Sequence, residues 1–191
     1  MLRLTVRVLE TLLEFVTVAL MVVLTLIVMV AVCFRLLGDS LSWYDEVAAI
    51  LLAWITYYGA ALAALKRRHI GFDTVLLAIP MPGRMAALVF AEAVTIGFFV
   101  IMTRAGIEVV QVLEGMYLVS LTWVPVQLTQ SVIPIGGALF ILCALLSLPE
   151  YWRKTARGIS LEHAEIEEEV EEEAAKAAAF AEARAREAER A

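Results

Sequence analysis

The chain has 191 residues, of which 62% are hydrophobic and only 19% are charged. Soluble domains are about 45–50% apolar, so the composition excludes an ordinary soluble domain. Residues 161–191 hold eleven acids and four bases, so the tail alone has a charge of −7 and the other residues sum to +1. This balance excludes a basic nucleic-acid-binding surface. Only two cysteines occur, Cys33 and Cys143, and both lie in apolar runs, which excludes a secreted disulfide scaffold.

Charge-free runs predict where the chain crosses a membrane. A spanning helix needs about 20 apolar residues. Residues 15–34 and 47–65 each form one such run, residues 85–103 form another that is interrupted by Glu92, and residues 115–149 form a longer one. Prolines divide the long run, so we place the last span at about 132–148 and expect residues 117–130 to be interfacial or re-entrant. The predicted fold class is an all-α membrane protein with four transmembrane helices at about 15–34, 47–65, 85–103 and 132–148.

The orientation of these spans follows from the basic residues in the short loops. Lys and Arg are concentrated on the cytoplasmic side of membrane proteins. Nine lie on one side of the predicted bundle and two on the other: Arg3, Arg7, Lys66, Arg67, Arg68, Arg84, Arg153, Lys154 and Arg157 against Arg35 and Arg104. We therefore expect both termini in the cytoplasm.

Two domains are expected from this pattern: a four-helix transmembrane domain over residues 1–158 and a charged cytoplasmic tail over 159–191. The tail is rich in Ala, Glu and Arg, which have high helix propensity. A solvated helix and a cytoplasmic docking helix are both compatible with its thin apolar stripe.

Local signals mark the ends of the second and third helices. Ser42 and Asp45 have the spacing of a capping box before the second helix. At its other end, Lys66 and Arg67 are placed to meet anionic lipid headgroups. The helical spacing of apolar residues after Arg104 predicts that the third helix continues and projects beyond the outer membrane surface.

Few residues in the chain are suited to chemistry. Nucleotide-binding, phosphate-loop, zinc-protease and serine-hydrolase motifs do not occur. His69 and His163 lie outside the predicted spans, so a haem-binding anchor has no axial ligands. The sequence therefore predicts a non-enzyme with no catalytic, cofactor-binding or metal-binding residues and no cofactor.

Glu92 is the one ionisable residue well inside a predicted span, near mid-depth. An intramembrane charge is costly and is by default a functional candidate. Three interpretations remain open: a hydrogen-bonded packing contact in the bundle or with a partner, a neutral tolerated side chain, or a proton or ion relay.

Small residues in the second span, at 59–61 and 63–64, form a face for close helix packing. This face fits an intramembrane surface for another protein, and it fits equally well packing against the chain's own helices.

These residues resemble a known family. Glu46, Trp54, the Gly59–Ala60 pair, the basic stretch from Arg67 through His69 to Asp73, and Pro80 resemble the small membrane subunit, DctQ type, of tripartite ATP-independent periplasmic (TRAP) transporters. Trp123 with Pro125, and the segment around Pro134, are similar to further elements of that family. The resemblance covers about residues 12–152, and the tail has no counterpart.

The resemblance implies a small scaffold subunit that supports the large membrane subunit (the permease) and helps dock a periplasmic substrate-binding protein. Together they would take up an organic acid, of C4-dicarboxylate or sialic acid type, with sodium. The implied location is a bacterial or archaeal inner membrane, with lipids as further partners and no nucleic acid. The candidate interface or structural residues are Glu46, Trp54, Gly59, Ala60, Arg67, His69, Asp73, Glu92, Trp123 and Pro134. The alternatives are an independent homo-oligomeric channel or carrier, and the membrane anchor of a redox complex.

Overall fold

The computed structural model of the chain describes residues 2–67 and 79–156. These residues form helices and connecting loops, and the single β-bridge among them joins Tyr117 to Pro125. The helices are α1 (Leu2–Leu36), α2 (Tyr44–Lys66), α3 (Met81–Val112), α4 (Val126–Gln130) and α5 (Val132–Ala156). The predicted all-α fold class is confirmed.

Four helical stretches in the described part of the chain are long and apolar enough to cross a membrane: Thr5–Leu36, Tyr44–Lys66, Met81–Val112 and Val126–Arg153. Their number agrees with the prediction, but each is longer than the span predicted for it. The last one continues past residue 148, because Pro149 lies inside α5 and does not end it. The cytoplasmic placement of the termini stays a prediction.

The chain divides into two compact units. The first comprises Met1–His69 and Val89–Pro149, and the second comprises Ile70–Leu88 and Glu150–Ala191. The domain boundary predicted at residue 158 lies outside the described residues and stays a prediction.

The core of the first unit brings together side chains of α1, α2 and α5. Its buried members are Leu13, Ala61, Ala64, Leu65, Phe140, Cys143 and Ala144. From α3, Phe99 packs against this cluster, and its ring stacks on Phe140 with centroids 3.6 Å apart. Ala61 and Ala64 belong to the small-residue face of α2, so part of that face packs against the chain's own helices.

Glycines allow α5 to approach two neighbouring helices closely. A Cβ placed on Gly136 would lie 2.6 Å from Cβ of Tyr57 in α2, and one on Gly137 would lie 2.4 Å from Oγ1 of Thr103 in α3. Gly106 of α3 is similarly close to Ile133 and Pro134. The backbones therefore pack closely, as small residues permit in membrane bundles.

Contacts along α5 fix the directions of its neighbours. Gly136 lies beside Tyr57, and Ser147, further along α5, lies beside Ala64, so α5 runs parallel to α2. In α3 the order is reversed, because Phe99 meets Phe140 whereas Gly106 meets Pro134. Alternating directions are what four consecutive crossings require.

One local prediction, the capping box before α2, is wrong. Ser42 and Asp45 do not form a capping box: the N-cap of α2 is Trp43, without a side-chain cap hydrogen bond. The third helix continues past Arg104 to Val112 as expected. Near its end, Nε2 of Gln127 in α4 donates a hydrogen bond to the Val110 carbonyl at 3.1 Å. The projection of this helix beyond the outer membrane surface stays a prediction. Between α3 and α5, where we expected an interfacial or re-entrant stretch, the chain forms a closed loop and then α4.

In the second unit, Arg84 connects the beginning of α3 to the end of α5. Its guanidinium donates to the carbonyls of Ile79 at 3.3 Å and Thr155 at 3.4 Å. Thr155 lies in the last turn of α5, where carbonyl groups lack helical partners and a cation is favourable.

We predict that Gly136→Ala destabilises the bundle, because the new methyl group would overlap Tyr57 near its rigid Cβ. Overpacking of this kind costs about 1–3 kcal/mol. Gly59→Ala in α2 is the matched control, because nothing lies within 4 Å of a Cβ at Gly59. Thermal unfolding in detergent is expected to show a lower midpoint for Gly136→Ala and an unchanged or higher one for Gly59→Ala. Equal midpoints for the two variants would contradict the close packing described.

Candidate functional site

The C-terminal end of α2 is tied to α1 by Lys66. Its Nζ contacts Glu14 in a charge-assisted hydrogen bond and lies 3.3 Å from Oε1 of Glu10. Glu10 and Glu14 are one helical turn apart, so both face the same cation. Lys66 therefore pairs with α1, and its expected contact with lipid headgroups stays a prediction.

Arg67, the next residue, ends α2 in an unusual backbone conformation. Its φ of 54° makes it the one non-glycine residue with positive φ in the described ranges, and its amide caps the carbonyls of Ala63 and Ala64. A side chain in this region costs about 1–3 kcal/mol, and such strain persists only where the surroundings enforce it.

The side chain of Arg67 supplies that enforcement by contacting two further helices. Nη1 pairs with Glu92 of α3, Nε donates to Oγ of Ser147 at 2.8 Å, and Nη2 donates to the Ala144 carbonyl at 2.8 Å. Only 16% of the Arg67 side chain and 15% of the Glu92 side chain is exposed. The expected headgroup contact of Arg67 is therefore replaced by an ion pair inside the bundle.

Ser147 completes this cluster. Its hydroxyl lies 2.9 Å from the Cys143 carbonyl and 3.1 Å from the carbonyls of both Ala144 and Ala64. One proton serves one carbonyl at a time, while the oxygen accepts from Arg67. The cluster thus joins α2, α3 and α5 through one guanidinium group.

Of the three interpretations of Glu92, the structure shows the contact that the first requires, a hydrogen-bonded packing contact within the chain. Its partner is the first residue after α2, so Glu92 lies beside the C-terminal end of that helix. Its depth in the membrane stays a prediction.

At the opposite end of α2, Glu46 holds the loop that follows α3. Its carboxylate accepts hydrogen bonds from the amides of Val119 at 3.2 Å and Ser120 at 3.0 Å, and from the Ser120 hydroxyl. Backbone bonds between Leu118 and Val124 and between Met116 and Val126 close the same loop. Glu46 therefore fixes the loop to the first turn of α2.

Trp54 forms a third tie, between α2 and α4. Its indole Nε1 donates to the Thr129 carbonyl at 3.1 Å, and its ring packs against Tyr58 with centroids 6.1 Å apart. Buried indole groups usually find such a partner.

The remaining candidate residues have different surroundings. Gly59 has open space on its Cα, whereas Ala60 packs against the core of the first unit. Trp123 is 76% exposed, and Pro134 lies in the first turn of α5, where a proline is tolerated, beside Gly106. His69 and Asp73 lie outside the described residues.

The sequence did not single out several partners that the structure reveals, namely Glu10, Glu14, Ser120, Thr129, Ala144 and Ser147. Most contribute a backbone group or a hydroxyl, which carries no sequence signal. Glu10 and Glu14 do carry a sequence signal, because two acids one helical turn apart at the end of a span favour a cation nearby. Within the described residues, no group of three His, Cys, Asp or Glu side chains is placed to hold a metal ion.

The four spanning helices and the ties among their polar side chains define a multi-pass α-helical membrane protein. The family model described as tripartite ATP-independent periplasmic transporters, DctQ component, matches residues 24–154, and the chain belongs to this family. The resemblance inferred from the sequence is confirmed. DctQ is a transporter component and not an enzyme family. A comparison with curated proteins finds no match.

We predict that Arg67→Met destabilises the protein by about 3–5 kcal/mol, because it leaves the Glu92 carboxylate buried without its cation. Glu92→Gln is expected to cost less, since Arg67 keeps its contacts with Ser147 and Ala144. The double variant is expected to lose less unfolding free energy than the two single variants lose together.

Thermal unfolding in detergent measures all three variants, and the exposed Arg35→Met is the control for loss of a positive charge. Strictly additive effects would show that the Arg67–Glu92 pair contributes no coupling energy.

We predict that Glu46→Ala frees the loop between α3 and α4. Hydrogen bonds to a charged acceptor contribute about 1.5–3 kcal/mol, so hydrogen exchange at the Val119 and Ser120 amides is expected to rise about tenfold or more. Replacing the exposed Glu114 by Ala is the control. Unchanged exchange in Glu46→Ala would mean that the other loop bonds suffice.

Proposed function

We propose that this chain acts as a fixed scaffold beside the large membrane subunit of a TRAP transporter and helps dock the periplasmic substrate-binding protein. The complex would take up an organic acid, of C4-dicarboxylate or sialic acid type, driven by sodium, in a bacterial or archaeal inner membrane. Both termini would lie in the cytoplasm, as the nine-to-two distribution of basic residues supports.

The observation that carries the scaffold proposal is the use of the polar side chains of α2. Glu46, Trp54, Lys66 and Arg67 each contact another segment of the same chain. Charged groups that hold neighbouring helices together suit a rigid scaffold. They suit a transport pathway less well, because its side chains must change partners as an ion or substrate passes.

The outward faces of the helices support a role beside other membrane components. In α1, Phe15, Met21 and Leu26 are between 53% and 72% exposed, and in α3, Phe90 is 72% exposed. Such surfaces suit lipid or another membrane protein.

On α2, the outward face has Leu52, Thr56, Gly59 and Ala63 at helical spacing. Leu52 is 57% exposed, and the space beside Gly59 is open. We propose that the large subunit packs here, because small residues let a neighbouring backbone come close in a membrane.

Two other functions compete with the proposal. An independent homo-oligomeric channel or carrier would use the same outward face of α2 for copies of itself. A redox anchor would use the bundle to hold a cofactor-bearing partner. Copurification with the tagged large subunit supports the TRAP scaffold, whereas purification as a homo-oligomer without it supports the first alternative.

We predict that Gly59→Leu reduces copurification of the tagged large subunit and reduces uptake. The added side chain would hold the partner helix away and remove many contacts of about 0.1–0.2 kcal/mol each. Ala181→Leu in the C-terminal tail is the control. Wild-type copurification and uptake in Gly59→Leu would show that this face meets only lipid.

A further inference from the structure

The outward face of α3 has a regular stripe that the proposed function does not use. Every third or fourth residue lies on it: Phe90, Val94, Gly97, Ile101, Arg104 and Glu108. Its apolar members are strongly exposed, Phe90 at 72%, Val94 at 55% and Ile101 at 70%. Nothing lies within 4 Å of a Cβ at Gly97. Arg104 and Glu108 are exposed too, so the stripe combines apolar residues with two opposite charges.

Contacts on the other side of α3 fix the level of these charges in the bundle. Thr103 lies against Gly137, and Gly106 lies against Pro134, so Arg104 is level with the first turns of α5. In turn, Gly136 lies against Tyr57 of α2. Arg104 is therefore level with Tyr57.

Tyr57 lies deep in its own helix. It is ten positions further along the helix than Val47, where the charge-free run of α2 begins. Ten helical residues span about 15 Å, which is half of the roughly 30 Å hydrocarbon thickness of a bilayer. With the hydrocarbon layer beginning at Val47, the packing of α3 brings Arg104 near the level of the bilayer centre, further inside than the outer surface at which the sequence placed it. The distance to the surface exceeds the reach of an arginine side chain.

Arg104 and Glu108 are one helical turn apart, and within the described part of the chain neither forms an ion pair with another helix. The ion pairs found there join Lys66 to Glu10 and Glu14, and Arg67 to Glu92. An exposed arginine near mid-depth and an exposed glutamate one helical turn further along α3 are costly in lipid, and charged groups inside a membrane almost always face protein or water.

We propose that this stripe of α3 is a contact surface for a transmembrane helix of the large membrane subunit. The partner helix would present a carboxylate to Arg104 and a cation or hydrogen-bond donor to Glu108, with apolar residues against Ile101 and Phe90. Charge complementarity selects a protein partner here, because acyl chains offer no group to either charge. The inference rests on the proposed function, since it assigns a second contact face to the same partner.

The test is copurification of the tagged large subunit with the full-length chain, co-expressed in membranes and extracted in mild detergent. Arg104→Leu and Glu108→Leu are each expected to reduce the recovered large subunit about tenfold or more, since loss of one partner of a desolvated charge pair weakens binding by at least this factor. Arg35→Leu and Glu114→Leu remove the same charges from exposed positions at the loop ends and are expected to leave recovery unchanged.

A photo-crosslinking residue at Ile101 provides a second measurement, and thermal unfolding of each purified variant identifies a loss caused by misfolding. Crosslinking to the large subunit supports the inference. Recovery equal to the controls, or crosslinking of Ile101 only to lipid, would overturn it and leave the proposed function standing. Failure of the wild-type chain itself to recover the large subunit would overturn both.

Discussion

A bilayer offers no water to a charge inside a helix bundle, so each ionised side chain needs an opposite charge or polar groups from the protein. Two consecutive cations at the end of α2 meet this requirement in different directions. Lys66 reaches the acids of α1, and Arg67 reaches Glu92 of α3 and the Ser147 region of α5. The same constraint holds the C-terminal end of α2 in place: the strained backbone of Arg67 aims one guanidinium group at two helices.

Much of the architecture could be predicted from composition, because an apolar run of about 20 residues is a strong signal. The helix ends could not be predicted in this way, because a helix continues past its apolar run wherever its backbone groups stay hydrogen-bonded. For example, α1 extends over Leu2–Leu36, although its apolar run covers 15–34. Pairings were equally hidden. Arg67 and Glu92 are each conspicuous in the sequence, but only the register of α2 against α3 brings them together. The family resemblance marked Glu46 and Trp54 as important without indicating that both bind the chain's own loop and α4.

The helices differ in how they use their two faces. α2 and α5 approach each other closely at Gly136, and their inward faces are occupied by aromatic rings and polar ties. α1 and α3 leave long apolar faces exposed. Internal polar ties combined with exposed apolar faces are consistent with the scaffold role proposed above. At the end of the bundle where α2 begins, Glu46 likewise holds the closed loop in place.

The positions of the ion pairs along the chain also bear on its biogenesis. When α2 leaves the ribosome, both acids that bind Lys66 have already been synthesised, so Lys66 has its counter-charge as soon as α1 and α2 come together. Arg67 has no such partner then, because Glu92 follows 25 residues later and Ser147 follows 80 residues later. Its guanidinium therefore lacks this counter-charge until α3 is delivered. Glu92, in contrast, enters the bilayer with its counter-charge already waiting.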